Sequence, residues 1–398
     1  MILYPDQSAC CNCNACTQIC PKDAIFLKED RDGFVFPHID QDKCIDCGLC
    51  QKVCAYQHIE ETNNVKAVYA AKSNDTAQML HSASGGIFAA VASCFIKRGA
   101  IVYGATISRR DDEFVISHRG VTSMDELVAL QGSKYVQSAI GDCFKEIRAH
   151  LIDGRTVLFS GTPCQCAGLK GFLRKDYPNL YIIDVICHGV PNQRMFNDYI
   201  DYQFGDLPGI TSFAFRDKSR GWELSAKITY DGGRKHRFIP AGTSSFYSLF
   251  LSAQNYRINC HSCKYASDHR PGDITIGDYW GIQKQHPELL KNGTFSAKNG
   301  ISCIIVNSER GAKMLAELGD SLTVVASTYD KVAAKNAQLV QPMKEGKYRK
   351  DVMRIYEKDG FEGLTKFYKQ KYRKTIIIHS ILTRLPFWLK NFLRSLPH

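Results

Sequence analysis

The run Cys10-x-x-Cys13-x-x-Cys16-x-x-x-Cys20-Pro21 recurs as Cys44-x-x-Cys47-x-x-Cys50-x-x-x-Cys54, so the chain opens with two copies of one metal-binding loop. Three thiolates at three-residue spacing wrap one iron–sulfide cube, and the trailing fourth cysteine reaches across to the other cube. The expected ligand sets are Cys10, Cys13, Cys16 and Cys54 for one [4Fe–4S] cluster, and Cys44, Cys47, Cys50 and Cys20 for the second. Zinc is the rival, but its tetrahedral thiolate sites take two C-x-x-C pairs, not two triplets each with a trailing cysteine. Gly48 and Pro21 suit tight turns around a cluster, whereas Cys54 is followed by Ala55 instead of proline. Cys11 is surplus to both sets and reads as a bystander thiol.

Seventeen cysteines in 398 residues would mean disulfides in a short secreted chain. This chain is long and opens without a basic segment followed by an apolar one, so a reducing, cytoplasmic location is expected. The net charge of +11 raises nucleic acid, membrane or an acidic substrate as partners. Much of the excess lies at one end: residues 364–398 hold no Asp or Glu but eight Lys and Arg. Those charges lie far from the cysteines, so no nucleic-acid partner is expected. In the same tail Ile377, Ile381, Leu385, Trp388, Leu389 and Phe392 recur near helical spacing, with Pro386 as a kink. The expectation is peripheral contact with the inner membrane face, against the alternative of a helix packed on protein. No apolar run approaches the ~18 residues of a membrane span.

Beyond the cysteine repeat, short apolar strands alternate with amphipathic helices, which predicts a mixed α/β, or α+β, core. Strands are expected at 65–71, 100–107, 156–160, 180–187 and 300–306, and helices at 85–97, 140–151, 192–204, 244–254 and 310–318. Asp231-Gly232-Gly233 marks a hairpin within 211–242. The expected organisation is a ferredoxin-like dicluster module at 1–64 (copies at about 1–30 and 35–64), a core in two parts at 65–150 and 151–326, and a separate helical appendix at 327–398 without candidate chemistry.

A second group of motifs lies in that core. Cys164 in "GTPCQC" and Cys187-His188 in "CHGVP" each follow an expected strand, where open α/β sheets collect ligands. Cys260-x-x-Cys263 brings the thiols to four, enough for a third cluster, although isolated cysteines are often buried hydrophobes. Cys94, Cys143, Cys166 and Cys303 read as core. His188 is a candidate proton donor or hydrogen-bond partner beside Cys187, or a structural histidine. Ser82, Ser84, Gly85 and Gly86 open an apolar helix where backbone N–H groups meet an anion, or else form an ordinary N-cap. Gly132, Ser133, Lys134 and Tyr135 form a polar, cationic turn suited to a phosphate or a flavin edge, or a plain loop. Arg270, Asp273 and Asp278 are candidates to orient flavin or substrate, though "GDITIGD" also reads as a strand between turns. No GxGxxG follows a strand, which argues against a Rossmann nicotinamide site.

Together "SASGGIF", "QGSKYVQS", "GTPCQ", "ICHGVP" and "NCHSCKYASDHRPGDITIGDYWG" resemble the coenzyme F420 hydrogenase/dehydrogenase beta-subunit family of iron–sulfur flavoproteins. The resemblance implies bound FAD, one [4Fe–4S] cluster in the core on Cys164, Cys187, Cys260 and Cys263, and electron exchange with a two-electron partner. That makes the expected protein an iron–sulfur, flavin-dependent oxidoreductase. The implied partners are an external low-potential donor or acceptor such as ferredoxin, and a small-molecule substrate. That substrate is the deazaflavin coenzyme or another small organic compound, including one from surface-polysaccharide biosynthesis. The alternative is an electron-transfer subunit that delivers electrons to a partner protein. The basic tail departs from the family's short archetypes, and because the resemblance also takes in enzymes acting on substrates other than the deazaflavin, the substrate is not carried over.

Overall fold

A computed structural model describes residues 2–58, 63–382 and 385. Its strands are β1 (Ile25–Glu29), β2 (Val35–Ile39), β3 (Ala67–Ser73), β4 (Ile101–Arg110), β5 (Glu113–Val121), β6 (Val157–Gly161) and β7 (Leu180–Val185). They continue as β8 (Ser212–Ala214), β9 (Ser225–Tyr230), β10 (Lys235–Pro240), β11 (Ile274–Asp278), β12 (Ser302–Val306) and β13 (Leu322–Ala326). β1 and β2 form an antiparallel hairpin inside the cysteine module. The core is an eight-stranded mixed sheet in the order β13-β3-β12-β11-β7-β6-β4-β5.

Its centre, β11-β7-β6-β4, is parallel, and antiparallel pairs flank it on both sides. β12 is buried along its whole length and β6 over its first four residues, as central strands covered on both faces must be. This is the mixed α/β core with a ferredoxin-type module at its N-terminus that the sequence predicts. A separate antiparallel sheet, β10-β9-β8, has its hairpin at residues 231–234, with Asp231, Gly232 and Gly233 all at positive φ.

Two of the elements that were not anticipated bear on the site. β4 runs on to Arg110 and returns as β5 through Asp111 and Asp112, both at positive φ, the two-residue turn that a right-twisted hairpin favours. A helix at Pro163–Leu173 follows β6, opened by Thr162 and Gln165 in a reciprocal capping box.

The C-terminal segment does not stand apart. The helix Arg349–Lys371, broken at Gly360 (φ 60°, ψ −157°), buries Val352, Met353, Tyr356, Phe361 and Leu364 in one cluster with Phe196, Tyr199 and Phe246. The last described helix, Arg373–Leu382, packs His379 on Gly242 and leaves Ile377, Ile378 and Ile381 exposed. The expected kink at Pro386 and the apolar residues Trp388, Leu389 and Phe392 lie outside the described residues. Among the described residues no helix is long and apolar enough to cross a membrane.

Candidate functional site

The sequence repeat is also a backbone repeat. Asn12 and Asn14 in the first loop, and Asp46 and Gly48 in the second, occupy matching positions and all have positive φ, at 53°, 62°, 50° and 70°. Each loop then enters a short helix, Ala15–Ile19 or Leu49–Lys52. Left-handed residues on both sides of the second cysteine curl each loop inward, and Gly, Asn and Asp are the residue types that tolerate this.

One small cavity is lined by Cys10, Cys13, Cys16 and Cys54, and a second by Cys20, Cys44, Cys47 and Cys50. The fourth cysteine of each loop therefore lies with the other loop's triplet, which is the crossed pattern of a dicluster domain. Cys50 also touches the first cavity. Among the described residues no group of His, Cys, Asp or Glu forms a site for a single metal ion. The thiols surround spaces, an arrangement that fits a polynuclear cluster.

In the core, the parallel strands aim their C-terminal ends at one place. β6 leads into Thr162 and Cys164, β7 into Cys187 and His188, and β11 ends at Asp278 just before Trp280. The 3-10 turn Ile258–Ser262 carries Cys260, with Cys263 capping it. Gly189 permits the approach of the Tyr256 ring, since a Cβ there would lie 2.3 Å from it. Cys164, Cys187, Cys260 and Cys263 all line one cavity of about 370 Å³. That volume is within the range of small-molecule and cofactor sites. Ser82, Ser84, Gly86, Gly132, Ser133 and Tyr135 line it too, as do Lys134, His188 and Asp278. Four thiols at one wall and two backbone turns at another fit a cluster next to an anionic cofactor.

Several expected contacts resolve differently. Gly85 is absent from the cavity wall: a Cβ there would meet the Ala71 carbonyl at 2.6 Å and the Ser302 amide nitrogen at 2.9 Å. Its smallness serves the approach to β3 and β12. The helix begins at Ile87, capped by Gly86 at φ +84°. Lys134 lines the cavity, yet its ammonium donates to the carbonyls of Ala129, Leu130 and Gln131 at 2.8–3.2 Å, closing the helix Met124–Leu130. Burial pushes its pKa down to about 7.

Arg270 does not reach the cavity. It is 1% exposed and donates to Asp184 Oδ1 (2.6 and 3.1 Å), Thr275, and the carbonyls of Tyr265 and Val185. Asp273 accepts from the Ile182 amide and the Ser308 hydroxyl, and so ties β7 to the start of the helix Glu309–Ala316 that follows β12. Both are structural, because their polar atoms are used inside the protein. His188 Nδ1 pairs with Gln338 Nε2 at 3.1 Å, and burial lowers its pKa.

Sequence reasoning missed Arg216, Lys218, Trp222, Trp280 and Gln338. Arg216 and Trp280 line the cavity, and Trp222 stacks on Trp280 with centroids 4.7 Å apart. Lys218 donates to the carbonyls of Ser84 (2.6 Å), Asn299 (2.8 Å) and Met79, fixing the turn at 82–86 from behind. Asn336, Gln338, Pro342 and Met343 of the supposed inert appendix complete the wall. The basic-aromatic run "FRDKSRGW" was the available signal for most of the missed residues.

The module and the core meet through the surplus cysteine. Cys11 is buried and packs in one cluster with Cys13 and, from the core, Cys164. The contact is locked by Arg257, whose Nε donates to the Cys10 carbonyl (3.1 Å) and Nη1 to that of Val35 (2.9 Å). The Tyr56 hydroxyl lies 3.1 Å from the carbonyls of Asn259 and Ser262, and Tyr265 donates to the Ala55 carbonyl at 2.7 Å.

Residues 154–331 match the family model for the C-terminal part of the coenzyme F420 hydrogenase/dehydrogenase beta subunit, and residues 9–58 match the 4Fe-4S dicluster domain. Among solved structures, a chain of the F420-reducing [NiFe] hydrogenase complex from Methanosarcina barkeri is similar at 15% identity. The alignment covers 78% of this chain and 94% of that one, with a TM-score of 0.45, a likeness too distant to bear on function. No curated protein matches.

Proposed function

Because residues 154–331 match the model for the C-terminal part of the coenzyme F420 hydrogenase/dehydrogenase beta subunit and residues 9–58 match a 4Fe-4S dicluster domain, we propose that the chain is an iron–sulfur flavoprotein oxidoreductase. The coarser part, an electron-transferring iron–sulfur oxidoreductase, follows from the family and the domain. The finer part comprises a third cluster, FAD and a two-electron substrate, either the deazaflavin coenzyme or another small organic compound. When bound, the clusters carry single electrons and the flavin trades them for a pair.

The chain's residues serve that exchange as follows. Cys10, Cys13, Cys16 and Cys54 hold the cluster nearest the core, and Cys20, Cys44, Cys47 and Cys50 hold the outer one. Cys164, Cys187, Cys260 and Cys263 hold the third. Gly86 and the turn at 132–135 offer backbone donors at the cavity, and Lys218 keeps the loop at 82–86 from opening. Cys11 packs a polarisable sulfur among Cys13 and Cys164. His188, held by Gln338, presents a ring to the cavity where a proton can be passed.

The observation that carries the reading is the single cavity shared by the four core thiols and both backbone turns. The test is anaerobic reconstitution of the full chain with iron, sulfide and FAD, followed by reduction with dithionite or reduced ferredoxin. Retained flavin that bleaches in the wild type, and bleaches far more slowly in Cys187→Ser, is the expected result. Wild-type chain that keeps its iron but retains no FAD would overturn the proposal. Turnover of a small substrate by the isolated chain separates an enzyme from a subunit that feeds another protein.

A further inference from the structure

Arg216 is buried with half of its guanidinium unused. Its side chain is 0% exposed; Nη1 donates to Asp278 Oδ2 at 3.0 Å and to the Tyr135 hydroxyl at 3.3 Å. Nε and Nη2 have no partner. Those two N–H groups lie on one edge of the planar group and point in parallel, the fork that takes both oxygens of a carboxylate or two oxygens of a phosphate. Burying two charged donors without an acceptor is costly, so such an edge signals an absent anion.

The surroundings keep this edge free. Asp278 accepts from Arg216 Nη1 on Oδ2 and from Trp222 Nε1 on Oδ1 at 2.8 Å, so its carboxylate is held on the Nη1 side and does not serve the Nε–Nη2 edge. The guanidinium lies 5.5 Å from the centroid of Trp280, whose ring is stacked on Trp222 at an interplanar angle of 9°. This fixes the fork's plane and gives it an apolar, aromatic wall. Arg216, Trp280 and Asp278 all face the cavity that holds the four core thiols.

We propose that Arg216 is the oxyanion anchor of this cavity and that the anion belongs to the organic substrate, a compound bearing a carboxylate or phosphate beside a flat, reducible portion that lies along Trp280. The inference rests on reading the cavity as the redox site. It assigns the anion to the substrate because of where the groups come from. The turns proposed for the flavin are at 82–86 and 132–135, within the eight-stranded sheet's own connections. Arg216 instead follows β8 of the three-stranded sheet, an addition to that frame. The phosphates of the flavin share the same chemistry and are the competing source.

The test uses full-length reconstituted protein, with benzoate and inorganic phosphate as probes and tryptophan fluorescence plus the flavin spectrum as readouts. Wild type should show a saturable change with at least one anion. Arg216→Lys, which keeps the charge but loses the fork, should weaken that binding by at least about tenfold while FAD content stays unchanged. If FAD binding instead falls about tenfold while riboflavin affinity holds, the fork is an oxyanion site for the cofactor, and the assignment to substrate is overturned. A wild-type chain whose tryptophan fluorescence ignores both anions overturns the anchor altogether, even if Arg216→Lys fails to fold. So does an Arg216→Lys protein that binds every probe as wild type does. Because the tryptophan signal needs no flavin, a chain that binds anions but not FAD would fail the flavoprotein reading and leave the anchor standing.

Discussion

The helix Pro163–Leu173 carries Cys164, Gly168 and Gly171 at a spacing of four and then three, so the three share one face. That face docks on the cysteine module. A Cβ at Gly168 would sit 2.7 Å from both Cβ and Sγ of Cys13, and one at Gly171 would sit 2.5 Å from the Val53 carbonyl oxygen. Ordinary contact begins at 3.4 Å, so Gly168→Ala must push the Cys13 loop away by about 0.7 Å. Two effects then compete. Removing a glycine from a helix interior contributes roughly 0.5–1 kcal/mol of stability, whereas overpacking costs about 1–3 kcal/mol. A cluster-bound Cys13 cannot swing aside like a flexible side chain, so the clash should win, with a net loss of about 1–2 kcal/mol. Gly168→Val, without the helix-propensity gain, should lose about 3 kcal/mol or more. Denaturant unfolding under anaerobic conditions measures both, and iron release to a chelator should quicken in the same order. The sign is decisive. If Gly168→Ala stabilises the protein by the ordinary helix increment, with iron release unchanged, the helix face does not touch the module and the packing of Cys13 and Cys11 against Cys164 loses its basis.

Three further outcomes follow from the packing. Lys134 has a folded-state pKa of about 7, below its unfolded value near 10.4, so the unfolded chain binds more protons between those limits and stability rises with pH across them. The stability of wild type relative to Lys134→Met should therefore improve from pH 7 to pH 10, and a flat difference would contradict the burial of its charge. Arg257→Met strips the Cys10 and Val35 carbonyls of their donor, which should cost about 1–3 kcal/mol for each buried group left unsatisfied; protease cleavage between module and core should appear, and an unchanged digestion pattern would argue against the lock. The exposed Ile377, Ile378 and Ile381, with the neighbouring basic residues, should give salt-sensitive co-sedimentation with anionic liposomes that a chain ending at Tyr372 lacks. Equal binding by both forms, or by neither, would make the tail a packing element.

The parts legible in the sequence were those with a strong local period or spacing. Two matching cysteine runs gave the crossed pairing because a cluster domain admits few arrangements of eight thiols, and apolar strands followed by chemistry-bearing turns located Cys164 and Cys187 at strand ends. Legibility failed where a residue's meaning depends on distant partners. Arg270 and Arg216 look alike in the chain, but Asp184 and two carbonyls consume the first, while Asp278 takes only one edge of the second. Gly85 and Gly86 are adjacent, yet only Gly86 borders the cavity. The helix at Pro163–Leu173 was hidden by the two glycines that let it dock, since glycine lowers helix propensity whatever its packing role. The appendix showed no chemistry of its own because Gln338 and Met343 are ordinary residues until the fold sets them beside His188.

On this reading one chain holds three cubes and a flavin in series. Anaerobic iron, acid-labile sulfide and FAD analysis of the reconstituted wild type tests it directly. The wild type should hold about twelve iron, about twelve sulfide and one FAD per chain, with Cys164→Ser falling to about eight iron while the module's signals persist. About eight iron and no FAD in the wild type would contradict it and leave only a dicluster electron carrier.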